Sequence, residues 1–82
     1  MNEMNQKIYD LAMESVVPGK EAEAEELLRE GFDRFDAGTF DQEYLTEVHP
    51  RYKELVQPDR WESFKGAMRH LVQAINLDYD WA

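Results

Sequence analysis

Residues 61–76 read WESFKGAMRHLVQAIN. At 3.6 residues per turn, Glu62, Lys65, Arg69, Gln73 and Asn76 fall on one narrow stripe. Beside it lies a broad apolar face of Trp61, Phe64, Met68, Leu71, Val72 and Ile75. The remaining face holds Ser63, Gly66, Ala67, His70, Ala74 and Leu77, most of them small. A helix with so little polar surface must be covered on more than one side. This stretch therefore predicts a bundle with its C-terminal helix at the centre.

The flanks of this stretch agree. Pro58 suits a first helical position, and Asp59 and Glu62 suit a first turn, which places the helix over about 58–76. Residues 77–82 have no period and read as a tail. Tyr79 and Trp81 in that tail either fold back to close the bundle end or anchor a partner. Folding back is the expectation, because exposed terminal aromatics are uncommon unless they pack.

Upstream, Tyr44, Leu45, Val48, Tyr52 and Leu55 keep helical spacing across Pro50, with Val56 at the edge. A proline inside a helix removes one hydrogen bond and crowds the preceding turn. Retained phase predicts one helix over about 40–56, kinked near 46–49, rather than two short ones. Thr39 with Gln42 would form a capping box, and Asp41 is the other cap candidate.

A helix over about 20–37 precedes it. Its acidic start, KEAEAEE, suits the positive end of the helix dipole. Its apolar face is Ala24, Leu27, Leu28, Gly31 and Phe35, with Phe32 at the edge. Glycine within that stripe costs about 1 kcal/mol against alanine, so a close neighbour, a helix or a large ring, is expected there. Glu25–Arg29 and Glu30–Arg34 are spaced for ion pairs, and Gly38 for a left-handed helix end. The first helix covers about 3–17, capped by Asn2 or Asn5 and stopped before Pro18-Gly19. Met4, Ile8, Leu11, Ala12 and Ser15 form its inward face, and Glu3–Lys7 is a further pair on the outside.

These segments predict an all-α fold, a compact three-to-four-helix bundle over residues 1–82 as one domain, with a Pro-kinked third helix. Eighty-two residues bury only roughly two-thirds of their unfolded surface, so the core is marginal. No cysteine is present to staple it, which leaves helix packing, self-association or a partner. Hydrophobic residues at 43% suffice for a packed core and argue against disorder.

The net charge of −9 is uneven. Residues 1–41 hold eleven acidic and four basic side chains, against seven and five in residues 42–82. Such a field disfavours direct binding to nucleic acid or to an anionic membrane. No apolar run reaches membrane-spanning length and MNEMNQK has no signal-peptide core, so the cytoplasm is the expected location.

Chemistry-bearing patterns are sparse. With Asp33 as the first position of a calcium loop, Gly38 falls correctly at the sixth, but Phe35, Ala37 and Tyr44 occupy ligand positions. A helix stop followed by a helix start explains the segment better. His49 and His70 lie outside metal-ligand spacings, and Ser15 and Ser63, the only serines, fall on packing faces. The expectation is a non-enzyme with no cofactor and no metal. The most informative surface is Ser63, Gly66, Ala67, His70, Ala74 and Leu77, where small residues permit close helix approach. With Tyr79 and Trp81 these form the candidate interface. A two-fold homodimer through it would bring the two His70 residues together.

The functional expectation is a small protein-interaction or regulatory bundle, homodimeric. The alternatives are an acidic neutraliser of a basic partner, in the manner of a nucleic-acid mimic, an antitoxin or an immunity protein, and a small-molecule or metal-binding bundle.

Overall fold

The computed structural model describes residues 2–81, and within them four α-helices pack around one core. They are α1 (Glu3–Glu14), α2 (Glu21–Ala37), α3 (Gln42–Leu55) and α4 (Trp61–Ala74), with a 3-10 turn at Pro58–Arg60 leading into α4. The fold is the expected all-α bundle. The segment after α4 is described as far as Trp81.

Local chemistry sets the helix ends. Asn2 caps α1 by accepting from the Asn5 amide at 2.7 Å. Asp41 caps α3 by accepting from Tyr44 at 2.9 Å. Thr39, the alternative cap, instead turns its hydroxyl back to the Arg34 carbonyl. Gly38 is left-handed at φ 76°, and the Thr39 amide donates to the Arg34 carbonyl at 2.9 Å, closing α2 in a Schellman turn. Asn76, at φ 55°, does the same for α4, with the Leu77 amide donating to the Val72 carbonyl at 2.8 Å. That turn ends α4 at Ala74, two residues before the expected stop.

The first helix also ends early, at Glu14 rather than near residue 17. Ser15 donates its hydroxyl to the Leu11 carbonyl, and Val16 leaves the helix for an antiparallel bridge with Val56. The Val17 amide donates to the Leu55 carbonyl, and the Gln57 amide to the Ser15 carbonyl, both at 2.8 Å. The side chain of Gln57 adds a bond to the Val16 carbonyl at 3.1 Å. This tie joins the end of α1 to the end of α3 across some forty residues of chain, which helix periodicity cannot reveal.

Helix α3 runs as one element through Pro50. The ring sits on the exposed side, and proline has no amide to donate back to the Thr46 carbonyl. Tyr44, Leu45, Val48, Tyr52, Leu55 and Val56 are all buried, as their spacing predicts.

Two faces are rotated from expectation. In α2, Phe32 is buried and Phe35 only half-buried. In α1, Asn5, Ile8, Ala12 and Ser15 point inward, while Met4 and Leu11 stay outside at 45% and 40% exposure. The expected pairs Glu3–Lys7 and Glu30–Arg34 do not close among the described residues, whereas Glu25–Arg29 does, at 3.0 Å. Arg34 instead lies over the Tyr44 ring, 4.4 Å from its centroid.

Gly31 has the close ring neighbours its position called for. A β-carbon placed there would lie 3.5 Å from Tyr44 Oη and 3.8 Å from both the Phe40 ring and Tyr52 Oη. Those are ordinary contact distances, so a methyl fits. Gly31→Ala is therefore expected to raise the unfolding free energy by about 1 kcal/mol, the helix-propensity gain, read from a denaturant midpoint.

Candidate functional site

Two regions concentrate the side chains that a function could use. The first is the face shared by α1 and α4. Wheel angles and burial agree on its outline. Helix α4 buries Trp61, Phe64, Ala67, Met68, Leu71 and Val72, leaving Glu62, Ser63, Arg69, His70, Gln73 and Ala74 exposed. Gly66 is half-buried, with nothing within 4 Å of where its β-carbon would stand.

Helix α1 packs alongside this arc. Met4, Lys7, Ile8 and Leu11 of α1 meet Ala67 and His70 of α4 in an open, mainly apolar groove of about 360 Å³. Among the described residues, Met4, Leu11 and Ile75 are the exposed large hydrophobics. Two of the three therefore line this groove.

The sequence-based interface residues divide accordingly. Ala67 is buried against the bundle, and Leu77 is half-buried. Ser63, His70 and Ala74 lie on the open side, with Gly66 between them. Tyr79 and Trp81 belong to a different region. Met4 and Leu11 belong to the face, although the apolar stripe they share with Ile8 predicts an inward position for all three.

The second region is an aromatic cluster that pins the C-terminal segment. Trp81 is fully buried at 0% exposure. Its ring lies 5.1 Å from Tyr79, 5.2 Å from His49, 6.1 Å from Phe64 and 6.2 Å from Tyr52, centroid to centroid. His49 stacks on Trp61 with 14° between the planes. Its Nδ1 is 2.6 Å from Tyr79 Oη, which also lies 3.5 Å from the Leu45 carbonyl. Which partner donates in the His49–Tyr79 bond depends on the imidazole tautomer. The segment thus folds back onto its own bundle and takes Trp81 off the surface. Lys53 caps the cluster, its ammonium 4.7 Å from the Trp61 ring centroid. His49 gave no sign of this role in the sequence, since its partner is thirty residues away.

Titration follows from these surroundings. Burial pushes the His49 pKa below its ordinary 6.5, and the Lys53 ammonium adds to the shift; Asp80 opposes it and Lys65 reinforces it. The Nε2 atom is buried without a hydrogen-bond partner, so a charged ring would be poorly accommodated. Burial raises the Tyr79 phenol as well. Between α2 and α3, burial and then the Glu30 carboxylate push Tyr44 up to about 12. Tyr52 is raised too, again chiefly by burial. All three phenols remain neutral at physiological pH, acting as packing groups.

No group of three or more His, Cys, Asp or Glu side chains is placed to hold a metal ion among the described residues. The Ser15 hydroxyl is buried and engaged with the Leu11 carbonyl. No helix of the described residues is long and apolar enough to cross a membrane. No protein-family model matches the chain, and no curated protein or solved structure matches it.

The depressed His49 pKa has a signed consequence. The unfolded chain takes up a proton near pH 6.5 that the folded chain resists. The stability contributed by neutral His49 is full above that pH and is lost as the pH falls through the lowered native value. Between pH 7.5 and 5, the melting temperature of the wild type should therefore fall more than that of His49→Gln, which cannot take up this proton. Parallel profiles would remove His49 as the cause.

Proposed function

We propose that the protein is a non-enzymatic interaction module that self-associates through the α1–α4 face. The observation that carries this reading is the exposure of Met4 and Leu11 along an apolar groove, beside the small residues of α4. Contiguous apolar surface on a small domain marks an interaction site more often than scattered single residues do. Covering it would also add burial to a chain short enough to have a marginal core.

The engaged side chains support a non-enzymatic role. Ser15 is tied to a backbone carbonyl and His49 to Tyr79, so neither is free to act on a substrate. The three buried or half-buried phenols with raised pKa values are packing groups for the same reason.

A second reading rests on α2. It carries seven acidic side chains, Glu21, Glu23, Glu25, Glu26, Glu30, Asp33 and Asp36, against Arg29 and Arg34. Of these carboxylates only Glu25 is in an ion pair among the described residues. Such a surface suits a basic protein partner, and binding there should weaken steeply as salt rises from 50 to 300 mM, on the order of tenfold or more, in a titration against a polylysine peptide.

Light scattering over a concentration series tests the first reading. The wild type should shift toward twice the chain mass as concentration rises. Leu11→Lys should stay at the mass of one chain while keeping its helical circular dichroism, because a charge at a 40%-exposed site costs the fold little. A wild type that remains a single chain throughout contradicts the reading.

A further inference from the structure

The α1–α4 face carries a charge pattern that selects its occupant. Glu62 and Arg69 are two helical turns apart and share one edge of the exposed arc of α4. Gly66 lies between them. Along the helix axis Glu62 is roughly 6 Å before Gly66 and Arg69 roughly 4.5 Å after it. Glu62 is 83% exposed and held by Lys65 at 3.1 Å on one side only, while Arg69 has no ion-pair partner among the described residues.

We propose that a second copy of this chain covers the face, with the two α4 helices antiparallel across a two-fold axis at Gly66. This rests on the self-association reading above and names its partner and register. A two-fold axis perpendicular to the antiparallel pair reverses position along the helix and keeps each edge on its own side. Glu62 of each copy then meets Arg69 of the other, and the contact occurs twice. His70 lies at the same height as the opposing Glu62 but on the other edge of the arc, so the two histidines do not meet each other.

Three further observations fit this arrangement. At Gly66 the helix forgoes a side chain although its own fold leaves open space there, and a glycine at the crossing point lets the two backbones approach closely. The α1–α4 grooves of the two copies lie on the same side of the crossing, so Met4 and Leu11 of both gain apolar cover. Finally, each copy carries −9, and like-charged molecules associate through their least negative faces. The α1–α4 pair has four acidic and three basic side chains, Glu3, Asp10, Glu14 and Glu62 with Lys7, Lys65 and Arg69, whereas α2 has seven and two.

The test is charge reversal on the full chain, read as the dimer dissociation constant by analytical ultracentrifugation. Glu62→Arg and Arg69→Glu each place like charges opposite one another at two symmetric positions, and each should raise the constant on the order of tenfold. The double variant E62R/R69E restores opposite charges and should return to within about threefold of wild type. Circular dichroism of each variant confirms that the bundle is intact, since both side chains lie on the exposed arc. A dimer that ignores both single changes, or that the double change does not rescue, overturns this register while self-association stands. A wild type that never dimerises overturns the self-association reading itself.

Discussion

Helix α4 has more apolar surface than one neighbour can cover, and much of the structure answers that constraint. Helix α1 covers the side at Ala67. Helix α3 covers the aromatic side through His49 on Trp61 and Tyr52 on Phe64, the latter pair 5.1 Å apart. The segment after α4 covers Phe64 by returning Trp81 to the bundle. Each of these contacts buries a large ring or a helix stripe, the dominant source of stability in a chain with no disulfide to help. What stays open is the arc from Gly66 through His70 to Ala74 and the adjoining edge of α1.

The cover has a polar cost. The Trp61 and Trp81 indole nitrogens, His49 Nε2, Tyr44 Oη and Asn5 Oδ1 are buried without hydrogen-bond partners. Leaving such groups unsatisfied costs about 1–3 kcal/mol each. Three of the five lie in the cluster that holds the C-terminal segment. That cluster therefore combines the largest buried side chain with the least satisfied polar groups, and it contains His49, whose ionisation opposes folding. Tight closure and pH sensitivity have the same origin there.

Much of the fold was legible in the sequence because long amphipathic segments and caps act locally. The buried set of α3 follows its spacing residue by residue, and Gly38 ends α2 as its backbone freedom suggests. The errors arose where tertiary contacts decide. Met4 and Leu11 share a stripe with Ile8, but the inward direction of α1 is set by what lies beneath it, and Asn5 takes a buried place that polarity alone would deny it. Val16 leaves the helix because Val56 offers a backbone partner forty residues on. His49 and Tyr79 find each other across thirty residues. The candidate face is half legible: Ser63, Gly66 and Ala74 stand out by size and His70 by its place among them, while the apolar rim of α1 reads as core, and Trp81 belongs to the interior.

The central claim is that the open α1–α4 face is where one chain meets another. The most direct measurement is an isotope-filtered nuclear Overhauser experiment on a mixture of carbon-13-labelled and unlabelled chains. The account predicts intermolecular signals from the Met4 and Leu11 methyl groups to protons of α1 or α4 in the other copy, and none from α2. Signals confined to α2, or no intermolecular signals at millimolar concentration, would contradict it.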